Sequence, residues 1–248
     1  MIHETDLKPA NVPTKEIIVL RTKLKPQEIL DVFEKKKTSL FGSALRRPKP
    51  SEITSKSPEL FLEQIIYVSG SYSINFERDV SYTIKVDDDV ADVTIGNHKF
   101  PVTTTSGVFK KFEKKMKEGV GLKKKNLEID VTEHAVSSIT DSFYLDCNGL
   151  ETPFDYSINS ESVENFSQRI LDTNKDHIRK VPIEEDVIFS KLAQKLKTNL
   201  NSDIQINSED FIITEFKEIF IPIYEIKCYD AKNKAAVARI DALTGKLI

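Results

Sequence analysis

The sequence is short of the residues from which most recognisable active sites are built. It holds eight glycines and two cysteines in 248 residues. No G-x-x-x-x-G-K-[ST] loop is present to cradle a phosphate, and no G-x-G-x-x-G turn brings backbone against a pyrophosphate; Gly245-Lys246 lacks the loop that would precede it. H-E-x-x-H, a G-x-S-x-G elbow and a cysteine–histidine cluster at zinc spacing are missing as well, so the sequence implies no cofactor and no metal. Cys147 and Cys228 each stand alone in strand-like runs, without a C-x-x-C or a neighbouring histidine, and are read as structural thiols. No run of about 18 apolar residues occurs, which excludes integral membrane association through a helix. The N-terminal Met1-Ile-His-Glu-Thr-Asp-Leu-Lys8 has neither the basic start nor the apolar core of a secretion signal, and a cytoplasmic location is expected.

What the chain has is charge. Charged residues make up 30% and apolar ones 39%, the balance of a globular protein with a heavily solvated surface. Residues 1–125 carry 23 Lys/Arg against 17 Asp/Glu, whereas residues 126–248 carry 13 against 22. The basic excess concentrates in Arg46, Arg47 and Lys49 and in Lys110, Lys111, Lys114, Lys115, Lys123, Lys124 and Lys125. These ten residues are the candidate binding site for an anionic partner, a nucleic acid or ribonucleoprotein, with counterion release supplying the affinity. Lysine outnumbers arginine there, which favours diffuse attraction over bidentate recognition. Phe109, Phe112 and Met116 share one helical face within the lysine stretch and read as core-facing.

Periodicity predicts an α+β fold: an antiparallel β-rich central region with hairpins, followed by a C-terminal helix and β-meander. Residues 1–57 form an N-terminal strand, a helix and a linker; residues 58–158 the β domain; and residues 159–248 the C-terminal region. The strand is Glu16–Arg21. Pro26 opens the helix, Ile29, Leu30 and Phe33 make its stripe, and Lys35-Lys-Lys37 closes it at the negative dipole end. Leu45 to Pro58, rich in proline and basic residues, reads as an extended linker. Apolar residues then fall on even positions from Ile66 to Val86. Glu77-Arg-Asp79 sits as the bend of a hairpin that sets Phe76 opposite Val80 and Ile74 opposite Tyr82. The other face of that hairpin, around Ser73, Asn75 and Thr83, is polar. Gly96-Asn97 marks a second hairpin, and Leu127, Ile129 and Val131 a further strand. Asn148-Gly149 marks a third hairpin, with Cys147 opposite Leu150 and Phe143 opposite Phe154. A helix follows from about Ser160 through Val163, Phe166 and Ile170; another starts near Pro182 with Val187, Leu192, Leu196 and Leu200 as its stripe.

Single polar residues carry little chemistry in this pattern. Glu133 and His134 are adjacent on a strand and point to opposite faces, so they cannot act as a pair. Asp87-Asp-Asp89 lacks the glycine and distal glutamate of a calcium loop and reads as a solvated turn; His98 and His177 read as surface residues.

The C-terminus is the most structured part of the reading. Ile219, Ile221 and Ile223 alternate with Phe220, Tyr224 and Ile226, so both faces of the strand are apolar and it lies between layers. Asp230-Ala-Lys-Asn-Lys234 connects it to a second strand, and Asp241-Ala-Leu-Thr-Gly245 is a tight turn into a third. A helix, strands and a closing Ile240-Asp-Ala-Leu-Thr-Gly-Lys-Leu247 turn resemble the small PepSY-type domain over about the last 60 residues. In that family Asp241 and Gly245 would be turn architecture without a catalytic role, and the resemblance implies a link to restraint of peptidases. The sequence as a whole favours a non-enzymatic binding or scaffold protein with a protein or anionic partner. The alternatives are a PepSY-like regulator of a peptidase and an enzyme whose scattered carboxylates only folding would bring together.

Overall fold

Alternating apolar residues in long runs, punctuated by few glycines, give few and very long strands. In the computed structural model, which describes residues 8–42, 47–87, 89–102, 125–198 and 204–248, three strands exceed 20 residues. The element order is β1 (Glu16–Val19), α1 (Pro26–Lys36), β2 (Thr54–Ser55), β3 (Glu59–Val86), β4 (Asp92–Ile95), β5 (His98–Pro101), β6 (Lys125–Leu145), α2 (Ser167–Thr173), β7 (Ile178–Arg179), α3 (Glu185–Lys197), β8 (Gln205–Tyr229) and β9 (Ala235–Asp241). Short 3-10 turns follow α1 and α2 and precede β2. The α+β class expected from the sequence is observed.

The described chain forms two compact units. Unit 1 comprises residues 1–73, 138–200 and 210–248, and unit 2 residues 74–137 and 201–209. The sequence division at 57 and 158 differs from this, because pairing in the sheet joins distant segments. β1 pairs in parallel with β8, Ile18 opposite Ile219, and β2 pairs with the end of β8, Thr54 opposite Tyr229. The stretch read as a linker therefore ends inside unit 1, with Ile53 buried.

In unit 1 the strand order is β1-β8-β3-β6, with β9 alongside β8 and β7 alongside β3. From Ile219 to Ile226 β8 is buried on both faces, as the composition of that stretch requires. Tyr224, Ile226 and Cys228 meet Ile29 and Phe33 of α1, while Ile219, Ile221 and Ile223 meet Ile18, Leu20 and Ile65. α1 starts at Pro26, whose missing N–H costs nothing there, and the Glu28 carboxylate accepts the Lys25 N–H at 2.7 Å. Lys35 and Lys36 occupy its last turn as expected, but Lys37 leaves the helix and is buried, paired with Glu34 at 2.7 Å.

Two helices differ from the sequence reading. α2 begins only at Ser167: the Asn159 carboxamide accepts the Glu161 and Ser162 N–H groups, and the Ser162 hydroxyl donates to the Ser157 carbonyl. These side chains offer the backbone a turn in place of a helix. Val163 bridges to Leu20 as a strand would, and Phe166 is exposed. In α3 the buried stripe is Ile188, Phe189, Leu192, Ala193 and Leu196; Val187 stands outside the i, i+4 register of that stripe and is 58% exposed. Leu200 lies outside the described residues.

The hairpin at Asn148-Gly149 forms one residue wider than its dipeptide suggests. Leu145 bridges to Glu151 and Thr152 donates to Tyr144, so Cys147 does not oppose Leu150 nor Phe143 Phe154. Asp146 sets this: its carboxylate accepts the N–H groups of Asn148 and Leu150 at 2.9 Å each, and Gly149 takes φ 79° at the end of a three-residue loop.

Unit 2 overturns the largest expectation. There is no hairpin at Glu77-Arg-Asp79; β3 continues as one strand from Glu59 to Val86. None of the three residues takes positive φ, and their side chains are engaged across the strands instead. Arg78 pairs with Glu133 at 2.7 Å, Thr132 donates to Asp79 at 2.8 Å and Asn207 donates to Glu77 at 2.9 Å. The β4–β5 hairpin forms as expected, with Val93 opposite Phe100. Phe109, Phe112 and Met116, the helical face expected within the lysine stretch, lie outside the described residues.

Candidate functional site

The side chains that converge in unit 1 come from positions scattered through the chain. On β3 the odd residues Glu63, Ile65 and Tyr67 share one face of the sheet. β7 sets Arg179 opposite Glu63, and β9 sets Arg239 opposite Glu225 of β8. Glu63 and Glu225 are 8% and 7% exposed, too deep to be left unpaired. The Arg179 Nη1 donates to Glu63 at 2.8 Å and to Glu225 at 2.6 Å. Arg239 Nη2 donates to both oxygens of Glu63, and its Nε lies 3.4 Å from Glu225 without hydrogen-bonding geometry. The result is a neutral quartet of two carboxylates and two guanidiniums. The Glu225 hydrogen bond pushes the Arg179 guanidinium above its ordinary value, ahead of the contribution of Glu63. Arg179 also lies over the Phe61 ring at 4.4 Å. Beside the quartet the Cys147 Sγ sits 3.8 Å from Glu63, and burial, with Glu63 adding to it, pushes that thiol up, away from the thiolate a nucleophile needs.

Along the same face runs a ladder of half-buried aromatic rings. Tyr67 and Tyr144 lie 4.6 Å apart, Tyr144 stacks on Phe154 at 4.7 Å and 4°, and Phe154 meets Tyr156 edge-on at 5.3 Å. Hydroxyls continue it: Thr214 donates to Ser69 and Ser73 to Ser138. Lys217 lies over Tyr67 at 5.7 Å and is held by Glu215 at 2.6 Å. At the other end the Tyr156 hydroxyl donates to Asp241 at 3.0 Å.

Asp241 is 3% exposed and serves the turn that the sequence assigned to it. Its carboxylate accepts the Leu243 N–H at 2.7 Å and the Thr244 hydroxyl at 2.7 Å, and Gly245 closes the turn at φ 70°, a conformation glycine adopts without steric cost. Burial, then the Asp241 charge, pushes the Tyr156 phenol far above its usual range. A raised pKa means the folded state holds this proton more tightly than the unfolded chain. The stabilisation is therefore complete below about pH 10, the unfolded value, and is lost as pH climbs above it. Tyr156→Phe is expected to lose about 1 kcal/mol at pH 7, the worth of one hydrogen bond. It should also show a smaller fall in stability between pH 9 and 11 than the native chain in urea titrations, and equal falls would refute the assignment.

Of the ten sequence-derived basic residues, Arg47 and Lys49 are exposed, with Arg47 Nε reaching back to the Gly42 carbonyl at 3.3 Å and the Lys49 N–H donating to Glu52. Arg46, Lys110, Lys111, Lys114, Lys115, Lys123 and Lys124, and the side chain of Lys125, lie outside the described residues. In unit 2, Glu133 engages Arg78 and Tyr82 while His134 lies 3.1 Å from Glu77, so the neighbours do turn to different partners. No group of three or more His, Cys, Asp or Glu able to hold a metal occurs among the described residues. No helix among the described residues is long and apolar enough to cross a membrane.

The quartet was missed by pattern reading because its members are up to 176 residues apart. The available signal was a charge inside an apolar run: Glu63 between Leu62 and Ile65, Glu225 between Tyr224 and Ile226, Arg239 between Ala238 and Ile240. No family model, curated protein or solved structure matches this chain.

Proposed function

We propose that the chain is a non-enzymatic binding protein that engages a protein partner through the face of unit 1 carrying Tyr67, Tyr144, Phe154 and Tyr156. The observation that supports this is the aromatic ladder. It is half-buried, bordered by hydroxyls, and flanked by charges already neutralised within the chain. Tyrosine supplies a large, stiff and amphipathic contact surface, and it is enriched where proteins meet. Pairing of the converging ionisable groups with one another supports binding over acid–base chemistry.

The PepSY resemblance makes a peptidase one class of protein partner, supported by the Asp241–Gly245 turn and the helix-then-strands order around it. The basic residues make an anionic assembly the other reading. Both are resolved by one experiment with the full chain carrying a photoreactive residue in place of Tyr67 or, as control, Lys56. After purification at low and high salt, a salt-resistant protein adduct at position 67 and none at position 56 is expected. If that protein is a peptidase, addition of the intact chain should slow it. A partner captured without any adduct at position 67 overturns the reading. Salt-sensitive binding of RNA, DNA or acidic liposomes, unchanged by substituting Tyr67, would place the anionic reading ahead.

A further inference from the structure

A concave region of unit 1 lies on α2 and its flanking strands, with none of the aromatic ladder in its lining. Ile17 of β1, Leu171 of α2, Ile178 of β7 and Phe220 of β8 give a groove of about 580 Å³ an apolar floor. That volume is in the range of small-molecule sites, about 300–1,000 Å³.

The polar rim is unevenly spent. Its acceptors are occupied: Glu218 receives Lys15 at 2.8 Å, and Asp172 receives the Gln168 amide at 3.3 Å with Lys175 at 3.8 Å. Its donors are not. Lys180 forms no ion pair with any described residue. The backbone of β1 adds another donor. Leu20 donates to Phe220 on the β8 side, whereas Val19 turns the other way, its N–H to the Ser167 hydroxyl and its carbonyl to the Glu164 N–H. Alternation along a parallel strand puts the Ile17 N–H and carbonyl on that same outer side, where the chain that covers Val19 has already turned into α2.

An apolar floor with an uncompensated cation and an outward N–H at its edge suits one kind of occupant. We infer that this groove binds a small amphipathic carboxylate, its apolar body on Leu171, Ile178 and Phe220 and its carboxylate at Lys180 and the Ile17 N–H. The site is independent of the protein-binding face and stands or falls separately.

The test uses the full chain, sodium octanoate as probe and octylammonium chloride as its charge-reversed counterpart. Calorimetry is expected to show saturable 1:1 binding of octanoate, with amide shifts in NMR spectra centred on Ile17, Leu171 and Ile178. Octylammonium should bind at least ten-fold more weakly. Lys180→Glu, an exposed position whose replacement leaves the core intact, should weaken octanoate at least ten-fold, and Lys56→Glu should not. Equal binding of the two probes, shifts centred elsewhere, an unchanged affinity in Lys180→Glu, or no saturation below the concentration at which octanoate forms micelles would each overturn the inference.

Discussion

Glu63→Ala is expected to destabilise the protein by about 3 kcal/mol or more in urea unfolding, the lower end of the range for breaking a buried ion pair. The carboxylate itself contributes little net stability, since burying it costs several kcal/mol that its partners offset. Its removal is what costs. Arg179 and Arg239 both donate to Glu63, and without it they face Glu225 alone, two positive charges on one carboxylate inside a sheet. Both guanidiniums are about one-third exposed, so water can relieve part of the imbalance, which sets the expectation at the low end. The double variant Glu63→Ala/Arg239→Ala restores neutrality and is expected to be less destabilised than the two single losses added together. A loss under 1 kcal/mol for Glu63→Ala, or strict additivity in the cycle, would mean that the four groups do not act as one network.

Gly70→Val is expected to cost more than 3 kcal/mol and to reduce expression sharply. A Cβ at position 70 would stand 2.8 Å from the Ile212 carbonyl oxygen and 2.9 Å from Leu192 Cδ2, nearer than real Cβ contacts come. The leucine end can shift; the β8 carbonyl is held in the sheet and cannot. Overpacking of a fitted core costs about 1–3 kcal/mol per site where neighbours give way. Valine exceeds that because its two methyl groups are added to a Cβ that already clashes. Gly70→Ala should fall within that range, and Leu192→Ala should relieve only the part due to the side chain, leaving Gly70→Ala/Leu192→Ala still below Leu192→Ala in thermal midpoint. Tolerance of valine at 70 would refute the close approach of β3, β8 and α3.

Both predictions concern residues whose partners no local pattern announced, whereas other parts of the fold were plain in the primary sequence. The Asp241–Gly245 turn, the Asp230–Lys234 connector, the start of α1 at Pro26 and the two-sided burial of β8 follow from residues within one or two turns of each other. Local chemistry was also misleading where two local signals competed. At Asn159–Ser162 side-chain hydrogen bonds overrode a helical period, and at Asn148-Gly149 the Asp146 carboxylate widened the loop. At Glu77-Arg-Asp79 three polar residues looked like a bend because nothing nearby shows that Glu133, Thr132 and Asn207 stand across from them.

The sequence by itself determined the α+β class, the α1 and α3 positions, the β4–β5 hairpin and the closing meander, because periodicity and turn chemistry act over a few residues. Only the tertiary structure decided that β3 runs unbroken, that Glu63, Arg179, Glu225 and Arg239 form one neutral quartet, that four aromatic rings line one sheet face, and that Lys180, without an ion pair among the described residues, stands at the rim of a groove with an apolar floor. Many of the contacts behind those features join segments 46 to 176 residues apart, through strand register, and register is set by the packing of whole faces.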